Sequence, residues 1–327
     1  MKNNDYDITL IVTQRCNAKC MMCNSHENPT RPEDEMGPEV MEKLPEAKFI
    51  QITGGEPFLR KDIEDIVRIL IKKAGRVMIN TNGYYTEKIT ELCRNYPQLA
   101  MRVSIDGSRE MHDQIRGIPI YDKAMETIRE LKEIGVKDLG ISFTLQESNY
   151  KEMIPLYRKA VDLGVDFGVS VVHNSFYFSK DDNEIHNLKN LEDALRSLVE
   201  LQIDSKRRKD WARAFFNDMS IRYLYQKPLP IHCDAGSSSF VIDAYGTVLP
   251  CNMTSKPWEM GSLVNSSWEE IMNGDQARGV MRRCRECGIN CWSVCNVQSA
   301  LKKKIWIPGL WLVREKAGHI LKMRHGG

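Results

Sequence analysis

The chain has 327 residues, of which 42% are hydrophobic, so it is long enough to bury a large core in one or two domains. Its 46 Lys and Arg nearly balance 44 Asp and Glu, and the net charge of +2 gives no electrostatic case for nucleic-acid binding. The sequence contains neither a long apolar run nor an N-terminal signal peptide, so we expect a cytoplasmic protein without a transmembrane segment. Ten cysteines in a chain of this kind indicate metal ligation rather than disulfides.

A cysteine-rich loop follows the first predicted strand, residues 8–12. Cys16, Cys20 and Cys23 have the spacing C-x3-C-x2-C, which lets three thiolates close around one iron–sulfur cluster. A four-iron cluster held in this way keeps one iron without a protein ligand, and a small molecule with an amine and a carboxylate can chelate that iron. A zinc site with His26 as an additional ligand is the alternative interpretation.

Short apolar runs and helical segments alternate after this loop. The further predicted strands are residues 49–53, 77–81, 101–105, 140–145 and 167–172. The predicted helices are residues 39–44, 62–73, 86–95, 121–134 and 151–163. This alternation predicts a parallel sheet with helical crossovers, in which ligands bind at the C-terminal ends of the strands.

Several candidate binding residues fall at those strand ends. The sequence Gly54-Gly55-Glu56-Pro57 ends the second strand, where bare backbone lets a ligand approach closely, although a plain turn is the alternative. Asn82 follows the third strand, Ser104 at the fourth can reach a ribose hydroxyl, and Arg116 can pair with a carboxylate or lie in a solvated loop. His173 follows the sixth strand as a proton acceptor, a polar substrate contact or a packed residue.

Taken together, these motifs resemble the radical S-adenosylmethionine (SAM) superfamily, whose signature is the C-x3-C-x2-C loop after the first barrel strand. The resemblance implies an α/β fold, a partial (β/α)6 TIM-like barrel, with SAM and a 4Fe-4S cluster on Cys16, Cys20 and Cys23. It also implies a set of SAM contacts. Met22 and Val172 would lie near adenine, and Ser104 would contact the ribose. The amino group would be held by Gly54, Gly55, Glu56 and Pro57, the carboxylate by Arg116, and Asn82 would be a further contact. The family usually has an aromatic residue where this chain has Met22.

The last third of the chain holds six more cysteines. Cys233 and Cys251 flank a predicted hairpin that turns at residues 245–246, and Cys284, Cys287, Cys291 and Cys295 follow as C-x2-C and C-x3-C. This spacing indicates metal binding, with zinc again an alternative. The pattern resembles the SPASM or shorter twitch extension. That resemblance implies one auxiliary 4Fe-4S cluster on Cys233, Cys251, Cys284 and Cys287, with Cys291 and Cys295 as further candidates and two clusters as the alternative.

We expect four segments. They are a radical SAM partial barrel over 1–175, a helical bridge over 176–230, a small C-terminal Cys-rich SPASM- or twitch-like extension over 231–298, and a C-terminal amphipathic helix and tail over 299–327. The bridge is predicted to hold two helices, residues 183–202 and 206–223. The basic tail helix is expected to cap the open bottom of the barrel, or to lie on a membrane surface near a lipid-linked substrate.

The implied reaction is reductive cleavage of SAM, after which the 5'-deoxyadenosyl radical abstracts hydrogen from an unactivated carbon. A flavodoxin- or ferredoxin-type protein would be the reductant. The net result is a dehydrogenation if an auxiliary cluster accepts the second electron, or an epimerisation if Cys291 or Cys295 donates hydrogen. His173 is the candidate base.

The sequence favours a carbohydrate or other small polar, carrier-linked substrate. No separate domain precedes Cys16, so we expect the leader-binding module of many peptide-modifying relatives to be missing, and Asn252 replaces the Asp of sulfatase-maturing relatives. The alternatives are a peptide-modifying (RiPP-type) maturase and, from another class, a non-catalytic iron–sulfur electron-transfer protein. The length and the terminal Gly326-Gly327 also resemble the molybdopterin-precursor cyclase branch, whose C-terminal cysteine spacing differs.

Overall fold

Six parallel strands organise the computed structural model, which describes residues 5–325 and the side chains of residues 5–318. The strands are β1 Asp7–Ile11, β2 Phe49–Thr53, β3 Val77–Thr81, β4 Ala100–Ser104, β5 Leu139–Leu145 and β6 Asp166–Val171. Each pairs in parallel with the next, in the order β6-β5-β4-β3-β2-β1. Buried aliphatic side chains such as Ile8, Leu10 and Ile52 hold the sheet to the helices outside it. The predicted α/β partial barrel is confirmed.

The crossover helices lie close to their predicted positions. They are α1 Pro38–Met41, α2 Ile63–Lys73, α3 Thr86–Asn95, α4 Arg109–Arg116, α5 Tyr121–Glu133 and α6 Met153–Asp162. Helix α4 corrects the prediction, because the segment after β4 had been interpreted as a loop. The helix ends at Gly117, whose φ of 67° is the left-handed conformation typical of a helix C-terminus.

The helical bridge consists of α7 Leu188–Asp204 and α8 Arg208–Leu224, which pack against each other. Helix α7 starts five residues later than predicted. Asn187 forms its N-cap and accepts a hydrogen bond from the Asn190 N–H, while the Asn183 N–H is bonded to the Asn174 side chain outside the helix. Residues 175–187 therefore do not belong to α7 and cross the top of the barrel.

The C-terminal region continues the barrel sheet. Its elements are β7 Ser239–Ile242, β8 Thr247–Leu249, β9 Gly261–Ser262, α9 Trp268–Asn273, α10 Asp275–Arg285, α11 Val294–Lys303 and α12 Trp306–His325. The predicted hairpin is β7-β8, and β7 pairs in parallel with β1, beginning with Asp7 opposite Ser239. The hairpin thus extends the barrel instead of forming a separate layer.

The C-terminal end of the chain contains two helices, where the sequence predicts one tail helix. Helix α11 packs against β1 and β7, and Lys302 Nζ lies 3.0 Å from Asp7 Oδ2 at the start of β1. Helix α12 packs instead on α7 and α8, so α12 does not provide the expected barrel cap. Gly326-Gly327 lies outside the described residues. Within the part of the chain that is described, no helix has the length and apolarity needed to cross a bilayer.

Candidate functional site

A cavity of about 590 Å³ occupies the inside of the barrel. Alternate strand residues face it, and many of them are polar, including Thr9, Gln51, Asn80, Ser104 and Thr144. Their sequence neighbours, which point outwards, are aliphatic because side chains alternate between the two faces of a strand. The inside of the barrel is therefore an open chamber with polar groups among apolar ones, and not a packed apolar core.

The three cysteines of the first motif line this cavity together at the C-terminal end of β1. Each sulfur receives a hydrogen-bond donor, from the Ala18 N–H to Cys16 at 3.4 Å, from Arg116 Nη1 to Cys20 at 3.8 Å and from the Ser25 N–H to Cys23 at 3.5 Å. Burial raises the pKa of the Cys16 thiol to about 12, so a thiolate there needs a cation beside it. Three converging sulfurs with donors already aimed at them suit an iron–sulfur cluster with one open iron.

The end of helix α4 supports this cysteine loop. The Lys19 N–H donates to the Arg116 carbonyl and the Met21 N–H donates to the Ile115 carbonyl, both at 2.9 Å. A Cβ atom on Gly117 would lie 2.4 Å from the Lys19 carbonyl oxygen, so only glycine allows this close approach. The geometry of the cysteine loop therefore depends on a helix about a hundred residues later in the chain.

A buried ion pair holds Arg116 at the cavity wall. Arg116 Nη2 lies 2.6 Å from Oδ2 of Asp106, a fully buried residue whose Oδ1 accepts from the Thr144 N–H. His112 Nδ1 accepts from the Asp106 N–H, and burial together with Arg116 lowers the pKa of His112 to about 3. Sequence reasoning assigned no role to Asp106 or His112, although an Asp directly after a strand end was an available signal.

The residues of the Gly-Gly-Glu-Pro turn take two different positions, at the cavity and behind it. Gly54 and Gly55 line the cavity, and a Cβ atom on Gly55 would lie 2.1 Å from the Arg15 carbonyl oxygen. Glu56 is fully buried behind them and accepts from Thr81 Oγ1 and from the Asn82 N–H, each at 2.8 Å. Burial raises its pKa to about 7. Glu56 thus ties the ends of β2 and β3 together, and Pro57 begins the turn that follows it.

Four further predicted site residues, Met22, Ser104, Val172 and His173, line the same cavity. The Val172 N–H is already bonded to the Leu145 carbonyl, so any additional backbone contact by Val172 has to come from its carbonyl oxygen. His173 Nδ1 lies 3.1 Å from the Val171 carbonyl, which makes Nδ1 the donor and leaves Nε2 as an acceptor. Burial lowers the pKa of His173, which favours this neutral form.

Asn82, the remaining predicted SAM contact, also lines the cavity and fixes the cysteine loop. Its Nδ2 donates to Asn17 Oδ1 at 2.8 Å, and its Oδ1 accepts from the Tyr84 N–H. Both polar atoms of the Asn82 side chain are thus hydrogen-bonded within the protein.

A strap of residues 175–180 crosses the site, and sequence reasoning missed it. The Tyr177 hydroxyl donates to the Gly54 carbonyl at 2.7 Å, and the Asn24 N–H donates to the Phe178 carbonyl at 2.8 Å. Ser175 Oγ donates to the carbonyl of Asn252, the residue after Cys251. The strap therefore links the first cysteine loop to the C-terminal cysteine region.

The six C-terminal cysteines divide into a group of five and a separate Cys295. Burial raises the pKa of the Cys233, Cys251, Cys284 and Cys291 thiols, and neighbouring cysteine sulfurs, Cys287 among them, add smaller contributions to each shift, so these five belong to one region of the C-terminal domain. Cys295 instead donates to Gln51 Oε1 at 3.8 Å, lies beside Thr9 and lines the barrel cavity. Among residues 5–318, no three His, Cys, Asp or Glu side chains converge on a single-ion site.

Comparison with known proteins identifies the family. Residues 10–160 match the profile of the radical SAM superfamily, and residues 233–296 match that of the SPASM iron–sulfur cluster-binding domain. The chain contains a radical SAM domain. SAM and a 4Fe-4S cluster are therefore its cofactors, and the SPASM domain implies auxiliary iron–sulfur clusters.

Several radical SAM and SPASM relatives resemble this chain over most of its length. The subtilosin biosynthesis protein AlbA of Bacillus subtilis is 28% identical over 81% of this chain, and this match spans 59% of AlbA. The sporulation killing factor maturation protein SkfB of the same organism is 24% identical over 86% of this chain and 68% of SkfB. SuiB of Streptococcus suis, solved bound to precursor peptide SuiA, has the same fold, with a TM-score of 0.63 at 14% identity over 85% of this chain and 67% of SuiB.

One further relative is named for a different activity. A probable GTP 3',8-cyclase of Sulfurisphaera tokodaii is 25% identical over 75% of this chain and 80% of its own length.

Proposed function

We propose that this radical SAM protein modifies a peptide substrate. AlbA and SkfB are named for bacteriocin biosynthesis and for maturation of a killing factor, and SuiB was solved with a precursor peptide. These relatives favour a peptide over the carbohydrate or other small polar substrate expected from the sequence. The observation that carries the proposal is the similarity to AlbA across 81% of this chain, combined with the SPASM match.

The residues around the cavity suit the binding of SAM beside the first cysteine loop. When bound, SAM and the reduced cluster on Cys16, Cys20 and Cys23 supply the carbon radical that takes a hydrogen atom from the substrate. Arg116 is proposed to pair with the SAM carboxylate, and the ion pair with Asp106, which fixes the guanidinium at the cavity wall, supports this role. Ser104 at the end of β4 offers a hydroxyl for the ribose, and the backbone of Gly54 and Gly55 offers polar atoms for the amino group.

Two residues are proposed to act on the substrate. His173 presents a neutral Nε2 that can accept a proton, since its Nδ1 is engaged by the Val171 carbonyl. Cys295 presents its thiol to the same cavity and can return a hydrogen atom to a substrate radical. A dehydrogenation would use His173 as base, whereas an epimerisation would use Cys295 as hydrogen donor.

The auxiliary cluster is proposed to draw its ligands from the group of five cysteines. Cys233, Cys251 and Cys287 all contribute to the electrostatics at Cys291, so Cys291 competes with Cys284 for the fourth ligand position. We expect Cys287→Ser to lose about four of the roughly eight irons of the reconstituted protein. Cys295→Ser should keep its full iron content. Iron and sulfide analysis after anaerobic reconstitution measures both, and equal iron loss in the two variants would overturn this assignment.

An isotope-transfer experiment tests the substrate class before the substrate itself is identified. The reduced protein is incubated with SAM and either a uniformly deuterated peptide fraction or a deuterated carbohydrate fraction from the same bacterial culture. Deuterium in the 5'-deoxyadenosine reports which fraction supplied the abstracted hydrogen. We expect transfer from the peptide fraction alone. Transfer from carbohydrate alone would reverse the proposal, and a lack of deoxyadenosine with both fractions would favour the electron-transfer alternative.

A further inference from the structure

Helix α12 has one face that docks on the protein. Its Trp311 ring lies 5.5 Å from the Phe215 ring of α8, and Trp311 Nε1 donates to Asp218 Oδ2 at 3.0 Å. Ile307, one helical turn before Trp311, packs into the same cluster. These contacts fix the rotation of α12 about its own axis and so decide which side chains face away from the protein.

The opposite face of α12 is apolar and unusually exposed. Trp306, Leu310 and Val313 follow one another at spacings of four and three residues, so they lie on one side of the helix. Their exposed fractions are 62%, 65% and 69%, and the preceding Ile305 is 74% exposed. These four are the most exposed large hydrophobic side chains among the described residues. We call Ile305, Trp306, Leu310 and Val313 the apolar stripe.

Exposed cations border the apolar stripe. Residues 302–318, whose side chains the structure describes, contain five Lys and Arg and a single acidic residue, Glu315, and of the five Lys302 and Lys303 pair with Asp7 and Asp234. Lys304 and Arg314 are exposed beside the stripe. An exposed apolar stripe bordered by lysine and arginine, with a tryptophan at one end, has the chemistry of a helix that lies in the interface of an anionic membrane.

We propose that the apolar stripe of α12 binds an anionic lipid bilayer, with the helix parallel to the membrane plane. The aliphatic and indole groups enter the boundary between headgroups and acyl chains, while Lys304 and Arg314 pair with lipid phosphates. The docked face of α12 stays on α8, so binding requires no unfolding of the protein. This inference does not depend on the substrate proposed above. It names a lipid bilayer, and not another protein, as the partner of the apolar stripe.

Vesicle flotation of the full-length reconstituted protein tests the proposal. The probes are vesicles of phosphatidylcholine alone and of phosphatidylcholine with about one-third phosphatidylglycerol. We expect binding to the anionic vesicles only, with a steep decrease at high salt. The double variant Trp306→Glu and Leu310→Glu should lose at least about tenfold in affinity, and Lys304→Gln and Arg314→Gln about fivefold for each charge removed.

The control is Val264→Glu, which places one such charge on an exposed valine far from α12 in sequence. It should bind vesicles as the parent protein does. Unchanged iron content and deoxyadenosine production in every variant show that the fold is intact. Absence of vesicle binding, equal binding to neutral vesicles, or full binding by the Trp306→Glu and Leu310→Glu variant would overturn the proposal. Concentration-dependent self-association that this variant abolishes would assign the stripe to a second copy of the chain instead.

Discussion

Replacement of Cys16, Cys20 and Cys23 by alanine together should reduce SAM cleavage to background. The three thiols line one cavity wall and are the only side chains proposed to hold the cluster that transfers the electron. Iron content should fall from about eight to about four atoms per chain, because the auxiliary cluster has its own cysteines. Chromatography of 5'-deoxyadenosine after dithionite reduction, together with iron analysis, measures both effects.

Cys93→Ala is the matched control for this variant. Cys93 is buried in α3, and burial alone raises the pKa of its thiol to about 12, which indicates an inert structural cysteine. The control should retain both iron and SAM cleavage. Persistence of deoxyadenosine in the triple variant would show that the radical chemistry does not depend on this loop.

Arg116→Gln should be the most destabilising single substitution at the site. It leaves the Asp106 carboxylate fully buried without its ion-pair partner, and breaking a buried pair in this way costs about 3–5 kcal/mol of unfolding free energy. The same change removes the proposed carboxylate ligand of SAM, so SAM affinity should fall as well. Anaerobic denaturant unfolding measures the stability, and equilibrium binding of SAM to folded protein measures the affinity.

The control for Arg116→Gln is Arg68→Gln, which breaks an ion pair with Asp65 that is about half exposed on both sides. Solvent screens that pair, so the change should leave stability and SAM binding within experimental error. Arg116→Lys adds a second comparison, since it keeps the charge but loses the planar fork, and it should fall between the parent and Arg116→Gln. Equal stability of Arg116→Gln and Arg68→Gln would contradict the buried-pair interpretation.

The strand and helix pattern was predictable because it depends on local periodicity. Helix α3 has the predicted bounds, and most other barrel elements differ by one or two residues. Helix α4 was missed because its buried face consists of His112, Ile115 and Arg116, so hydrophobic periodicity gives almost no signal there. Its role depends on hydrogen bonds to the distant cysteine loop, which no local pattern contains.

The Gly-Gly-Glu-Pro motif also shows what a local sequence pattern does not predict. Its glycines were expected to admit a ligand, and both line the cavity, while the absence of a Cβ atom on Gly55 also allows the close approach of the Arg15 carbonyl. Glu56 was expected to contact SAM, which stays a prediction, and the structure adds that its carboxylate accepts from donors in β3 and the turn after it. A motif indicates where a site lies, but it does not separate residues that touch a ligand from residues that hold those residues in place.

The sequence by itself determined the C-x3-C-x2-C loop, the repeated strand and helix, and the cysteine-rich end, since each depends on spacings within a few residues. Only the tertiary structure decided that Cys295 faces the barrel cavity while Cys291, four residues earlier, lies outside it. It also decided that α12 docks through Trp311 and leaves Trp306 exposed. In both cases the direction of a side chain is fixed by packing against strands or helices far away in sequence. The residues next to it in the sequence do not show which distant element it packs against.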